Sequence, residues 1–136
     1  MMHRIKKSND LNRDKWVGPG GTFEENETPD ECVVREVFEE TGLTLTDYRL
    51  RGIVTFLSDE WEGEYMYLYT ATGFEGELRE CDEGVLEWID KDKVCDLPIW
   101  EGDKLFFDEL ARDRGFFTMK LRYEKDKLAE SEMRLH

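Results

Sequence analysis

The chain has 136 residues, with 33 Asp and Glu against 19 Lys and Arg, for a formal net charge of −14. That length fits one domain with a real core, and 39% hydrophobic residues, with eight Phe, five Tyr and four Trp, argue against disorder. So acidic a surface repels nucleic-acid backbones, which argues against a DNA or RNA polymer as partner.

The longest apolar runs are too short to span a bilayer, and no charged-then-apolar leader is recognisable, so a soluble cytoplasmic protein without a membrane partner is expected. Cys32, Cys81 and Cys95 are an odd, widely spaced set that matches no zinc or disulfide framework, which suits a reducing compartment. Cys32 reads as a small packing residue.

Residues 1–7 are too few to assign, though Ile5 suits a strand, and the polar stretch 8–15 reads as a loop. Arg4, Lys6, Lys7, Arg13 and Lys15 outnumber Asp10 and Asp14 here. These cations either meet phosphate or belong to an ordinary basic strand end. Residues 16–21 combine a strand-like start with a turn, in which adjacent Gly20 and Gly21 let backbone approach a ligand closely.

A helix follows. Thr28-Pro29-Asp30-Glu31 is a capping box with proline at the first helical position, where its missing N–H costs nothing. Gly42 falls where a left-handed C-terminal cap is wanted. At about 100° per residue, Val33, Val34, Val37 and Phe38 share an apolar arc expected to face a core. Glu36, Glu39 and Glu40 share a neighbouring arc. Three carboxylates so close repel each other unless a cation sits among them, and hard divalent cations take such oxygen ligands. A merely solvated charged face is the plainer reading of any one glutamate pair.

Residues 43–48 read as a turn, 49–57 as a strand and 58–63 as a loop holding Trp61. Residues 64–74 form a second strand with Tyr65, Tyr67 and Tyr69 on one face, and the two strands pair as a hairpin. Residues 75–84 are acidic and irregular. A short strand at 85–89, a loop or short helix at 90–97 and a break at Pro98 come next. Residues 100–112 give a second amphipathic helix through Leu105, Phe106, Glu109 and Leu110. Residues 116–123 and 128–135 form a closing hairpin with its turn at 124–127.

From Gly21, five residues lead to Glu27, and seven more to Arg35-Glu36-Val37-Phe38-Glu39-Glu40-Thr41-Gly42-Leu43. This fills every fixed position of the pattern G-x5-E-x7-R-E-U-x-E-E-x-G-U, U being aliphatic, and so resembles the Nudix hydrolases. The resemblance extends over nearly the whole chain and is strongest at 16–43. It implies an α/β fold, a Nudix-type α/β/α sandwich with a mixed sheet, built as a single domain from residues 1–136. Such chains usually open with a strand hairpin ahead of the segment equivalent to 2–7, and this sequence is expected to lack it.

The resemblance also implies chemistry. Glu36, Glu39 and Glu40 would hold Mg²⁺ or Mn²⁺, helped by a backbone carbonyl of Gly20 or Gly21. Arg35 would orient a carboxylate by ion pairing, with Glu27 supporting the loop. The catalytic base that the resemblance implies would be Glu83, because Glu80-Cys81-Asp82-Glu83 resembles a loop of nucleotide-cleaning members, or else Glu40. Residues 97–123 resemble the branch that hydrolyses oxidised purine nucleoside triphosphates such as 8-oxo-dGTP. In that branch a tryptophan stacks on the base and a nearby aspartate bonds the purine edge, positions held here by Trp100 and Asp103. A further aspartate common there is replaced by Gly102. A core residue at a helix start is the plainer alternative reading of Trp100. Asn9, Asn12 and Trp16 are weaker pocket candidates.

The expected partner is a small-molecule nucleotide, with monomer and homodimer both open. ADP-ribose or a dinucleoside polyphosphate are alternative substrates, and a nucleotide-sensing module without catalysis is the alternative class.

Overall fold

The computed structural model describes residues 1–4, 15–80 and 84–136, with backbone alone at His3. Ile5, Lys6, Lys7, Asn9, Asn12, Arg13 and Glu83 lie outside the described residues. In chain order the elements are β1 (Met2–His3), β2 (Trp16–Val17), α1 (Pro29–Thr41), β3 (Thr44–Ser58), β4 (Glu64–Glu75) and β5 (Val85–Leu86). A 3₁₀ helix (Lys91–Asp96), α2 (Glu101–Arg112), β6 (Phe117–Glu124) and β7 (Lys127–Leu135) complete the chain. They fall into two compact units, each drawn from two separated stretches: Met1–Tyr48 with Ala71–Ile99, and Arg49–Thr70 with Trp100–His136. A mixed four-stranded sheet, a three-stranded antiparallel sheet and the helices give the α/β class expected from the sequence.

In the first unit, β1 is the middle strand of a three-stranded sheet in the order β2-β1-β5. Met2 pairs antiparallel with both Val17 and Leu86 and is fully buried. Trp16 is buried on β2, and its N–H donates to the Pro98 carbonyl at 2.8 Å. Among the described residues, Cys32, Leu43, Val94 and Ile99 complete this unit's buried apolar set. Cys32 is thus a packing residue, as its small apolar character suggests.

Two local expectations change. Residues 43–48 are not a turn, because β3 already begins at Thr44. The reversal is made within the cap itself by Gly42 at φ +82°, after which the chain extends at once. Thr72 then donates to Asp47 Oδ2 at 2.8 Å, tying the start of β3 to the end of β4. The apolar arc of α1 is also only partly covered. Val33, Val34 and Val37 are half-buried, whereas Phe38 is 46% exposed and carries the Arg79 guanidinium 5.0 Å above its ring. A flat cation covers that face where an apolar core was expected.

The second unit packs α2 on a sheet. The full strand order is β4-β3-β6-β7, with β6 parallel to β3 and antiparallel to β7. The β3–β6 register pairs Gly52 with Phe117 and Val54 with Met119. Strand β6 alternates inward Phe117, Met119, Leu121 and Tyr123 with outward polar residues, as a half-buried strand must. Those four residues, Val54 and Phe106 make the core cluster, with Met66 and Leu68 against it from β4. Alternation places Tyr65, Tyr67 and Tyr69 on the opposite face, where Tyr65 is exposed. A two-residue turn at Lys125 and Asp126 closes the last hairpin.

Trp100 caps α2 and meets Trp61 and Tyr123 edge-on, with ring centroids 5.9 and 5.4 Å away. Gly102 sits on β6. A Cβ there would lie 2.6 Å from both Leu121 Cδ1 and Tyr123 Oη. Its N–H donates to the buried Tyr123 hydroxyl at 2.8 Å. An aspartate at position 102 therefore has no room in this chain. Burial is the chief reason that the Tyr123 phenol is pushed up to about 12.

Replacing Tyr123 by Phe leaves the Gly102 N–H without its acceptor and is expected to destabilise the fold by about 1–3 kcal/mol. Gly102→Ala forces atoms together at two points and should cost at least as much. Urea unfolding of the two variants measures both.

Candidate active site

The glutamate helix α1 is held at both ends by its own sequence. Thr28 Oγ1 accepts from the Glu31 N–H and Glu31 Oε1 accepts from the Thr28 N–H, each at 3.1 Å, a complete capping box. At the other end the Gly42 N–H donates to the Phe38 carbonyl at 2.9 Å.

Arg35 is the centre of the site. Its Nε and Nη2 grip Glu27 in a two-point pairing at 2.6 and 3.0 Å. Its Nη1 donates to Glu36 Oε1 at 2.8 Å and Glu39 Oε2 at 3.1 Å, with Glu24 at 3.5 Å. Nη2 also donates to the Thr22 carbonyl at 3.1 Å, which ties the helix to the loop before it. The cation required among the glutamates is therefore supplied, in part, by the helix itself. Glu27 is 10% exposed and also accepts from the Glu24 N–H at 2.8 Å. The Arg35 hydrogen bonds hold its carboxyl down at about 2, helped by that backbone N–H. The same pairing raises Arg35 further above its ordinary range.

The glycine turn meets the helix at two points. The Gly20 N–H donates to Glu40 Oε2 at 2.8 Å. Gly21 packs against Glu36 so closely that a Cβ there would fall on the Glu36 carboxylate. The Gly21 carbonyl lies 3.9 Å from Cys32 Sγ, and burial is the main reason the Cys32 thiol is pushed up.

Gly21, Arg35, Glu36, Glu39 and Glu40 are thus brought together in the first unit, which also holds Trp16. Trp100 and Asp103 are carried by the second unit, in the cap and first turn of α2, where Asp103 is buried and its N–H donates to the Trp100 carbonyl at 3.0 Å. Asn12 and Glu83 lie outside the described residues. Of the basic residues before the glycine turn, Arg4 and Lys15 are described, and the Arg4 N–H donates to the Lys15 carbonyl at 2.9 Å.

Among the described residues, no three acidic, histidine or cysteine groups form a ready-made ion site, the carboxylates being turned toward Arg35 and Gly20. The donor chemistry still fits a hard divalent cation, since Glu36, Glu39 and Glu40 offer only oxygens from one stretch of helix. Glu36 is 16% and Glu39 55% exposed, so the set is reachable from solvent at its outer edge.

One residue of this site was missed by the sequence reading. Arg79 donates to the Phe38 and Glu39 carbonyls at the end of α1, both at 2.8 Å. The available signal was its isolation, because Arg79 is the single Lys or Arg between Arg51 and Lys91.

The chain matches the NUDIX domain family over residues 1–110. It is 33% identical over 105 residues to YvcI, an uncharacterized Nudix hydrolase of Bacillus subtilis, covering 74% of this chain and 66% of that protein. It is 33% identical over 103 residues to an oxidized purine nucleoside triphosphate hydrolase of Danio rerio, covering 75% and 66% respectively. The match thus spans about two thirds of each relative's length. The crystal structure of the mutator MutT protein of Bacillus halodurans superposes with a TM-score of 0.82 at 34% identity, covering 88% of this chain and 82% of that one.

The Glu27–Arg35 pairing has a pH signature. A carboxyl lowered to about 2 from its ordinary 4.5 contributes stability that is complete above the ordinary value and is lost as pH falls toward 2. The difference in unfolding free energy between wild type and Glu27→Gln is expected to be constant above about pH 5 and to close between about pH 4.5 and 2. Denaturant unfolding at a series of pH values checks this.

Proposed function

The chain belongs to the Nudix hydrolase family, and we propose from this that it is an enzyme that hydrolyses a nucleoside triphosphate to the monophosphate and pyrophosphate. Its proposed substrate is an oxidised purine nucleotide such as 8-oxo-dGTP, which would give it a role in cleansing the cytoplasmic nucleotide pool. In this reading, residues 1–136 act as one Nudix domain. The reading rests first on the junction of glycine turn and glutamate helix: Gly20 bonded to Glu40, Gly21 packed on Glu36, and Arg35 held among Glu27, Glu36 and Glu39. The oxidised-purine assignment draws on the Danio rerio relative and on Trp100 and Asp103.

Glu36, Glu39 and Glu40 are the residues that would hold Mg²⁺ or Mn²⁺. When bound, the ion supplies charge neutralisation on the bridging phosphate oxygens and lowers the pKa of a bound water. The chain's own residues do the rest. Glu27 fixes the Arg35 guanidinium, and Arg35 sets the rotamers of Glu36 and Glu39 before substrate arrives. The Gly20 N–H does the same for Glu40. With no side chain at Gly20 or Gly21, a polyphosphate can lie close against the turn. Water attacks a phosphorus of the α–β bridge and its proton passes to a carboxylate, either Glu83 or Glu40. The bridging P–O bond then breaks, releasing pyrophosphate and the monophosphate. Trp100 offers its indole face to the base and Asp103 a hydrogen bond to the purine edge, with Asn12 and Trp16 as further pocket residues. The net charge of −14 opposes approach of any polyanion, so binding without a divalent ion is expected to be weak.

Turnover on 8-oxo-dGTP, dGTP and ADP-ribose, with pyrophosphate and phosphate measured separately, tests the assignment. Pyrophosphate release with preference for the oxidised base is expected; equal rates on 8-oxo-dGTP and dGTP would remove the cleansing role, and binding without turnover on all three would favour a sensing module. Glu40→Gln is expected to lower kcat by about 10²-fold or more, and unchanged turnover would overturn its role. Trp100→Ala should raise KM for the purine nucleotide several-fold; an unchanged KM would return the indole to the core.

A further inference from the structure

Glu39 and Glu40 stand in the last turn of α1, the wrong end for negative charge. Helix C-termini expose carbonyls carrying partial negative charge, and carboxylates there are repelled. The last turn of α1 contains no basic residue to offset this. Its cation comes from elsewhere in the first unit. The segment 76–79 lies across the helix end, held by five features. The Arg79 N–H donates to the Thr41 carbonyl at 3.0 Å. Arg79 Nη2 donates to the Phe38 and Glu39 carbonyls, each at 2.8 Å. The guanidinium lies 5.0 Å over the Phe38 ring. Finally, Gly42 and Gly76 face each other with left-handed backbones. A Cβ on Gly42 would lie 2.8 Å from the Glu77 carbonyl, and one on Gly76 2.9 Å from the Gly42 carbonyl. Neither position accepts a side chain while the two strands of backbone stay in contact.

We propose that Arg79 is a positioning residue for the glutamate cluster: it clamps the end of α1 through the Phe38, Glu39 and Thr41 carbonyls and so fixes the backbone from which the Glu39 and Glu40 carboxylates project. The inference rests on the Nudix reading of that cluster. A guanidinium suits the task better than an ammonium, because its planar group lets Nη2 direct both of its N–H bonds at the two neighbouring carbonyls while the plane covers an aromatic ring. Two roles for the cation make opposite forecasts. If Arg79 acted only through its charge, removing it would make the cluster more negative and Mn²⁺ would bind more tightly. If it positions the carboxylates, removing it weakens Mn²⁺ binding despite the more negative field.

The test is Mn²⁺ titration of the full chain by electron paramagnetic resonance, without nucleotide, for wild type, Arg79→Ala, Arg79→Gln and Arg79→Lys. Arg79→Ala is expected to weaken Mn²⁺ binding on the order of 10-fold, the lower end of what supporting residues around metal ligands contribute. Arg79→Gln, which keeps one donor group without charge, should bind between alanine and wild type, and Arg79→Lys, which keeps the charge but not the planar group, should recover only part of the affinity. Tighter or unchanged binding in Arg79→Ala would overturn the proposal. Hydrogen exchange of the metal-free protein supplies a second readout, with faster exchange at the Gly42 and Leu43 amides expected in Arg79→Ala. Unchanged exchange there would overturn the clamp itself. A wild type that binds no Mn²⁺ would overturn the metal reading of the cluster and this proposal with it. In that case faster exchange in the variant would still identify the clamp as purely structural.

Discussion

Arg35 brings one positive charge and five N–H donors into a ring of four glutamates, Glu24, Glu27, Glu36 and Glu39. Everything at the site depends on how those donors are shared. Glu27 takes two of them and is thereby held ionised to about pH 2. Once Glu27 is in place, the guanidinium plane cannot rotate, and Nη1 points at Glu36 and Glu39. The loop, the helix and the carboxylates are thus locked by a single ion-pair network. The inner members Arg35, Glu27 and Glu36 are largely shielded from solvent, so removing one of them strands the others, whereas Glu24 and Glu39 lie at the exposed rim.

The site is also a case in which local stability and function pull in opposite directions. A run of glutamates toward the C-terminus of a helix opposes the helix dipole, and carboxylates a turn apart repel one another. The chain offsets both effects with cations from different places. Arg35 works from within the helix, on its side chains, and Arg79 works from a distant stretch, on its carbonyls. Glycine sets the spacing in each case. Gly21 allows the Glu36 carboxylate to lie against the loop, and Gly42 with Gly76 allows the second segment to reach the helix end. A Cβ would meet the Glu36 carboxylate at Gly21 and neighbouring backbone carbonyls at Gly42 and Gly76.

The second unit also ties a single residue to its packing. The resemblance drawn from the sequence leads one to expect an aspartate at position 102, and the core around Gly102 leaves no space for one. The Tyr123 hydroxyl and Leu121 occupy the space that a side chain would need, and the Gly102 N–H bonds that hydroxyl. Tyr123 is also one edge-on neighbour of the Trp100 ring. Gly102 is therefore tied to Trp100 and Tyr123 as a packed group.

Much of α1 was legible in the chain because its signals are local. A capping box, a proline at the first helical position and a glycine cap act over three or four residues, so residue identity alone specifies them. The same holds for β6, whose period-two pattern declares its buried face. The glutamate pattern likewise named the family, since its fixed positions are all in one stretch. What the chain could not declare were relations between distant segments. The strand at 44–48 was hidden because its partner residues lie near Thr72, and the exposed Phe38 because its cover comes from Arg79. Two-residue strands such as β1, β2 and β5 carry too few residues to show a period, and they are defined by pairing in the order β2-β1-β5. The sequence by itself determined the helix, its glutamates and the arginine among them, because spacing along one helix is set by covalent geometry. Which of those carboxylates Arg35 holds, and that Arg79 closes the helix end, only the tertiary structure decided, because those contacts depend on where folding brings residues far apart in the chain.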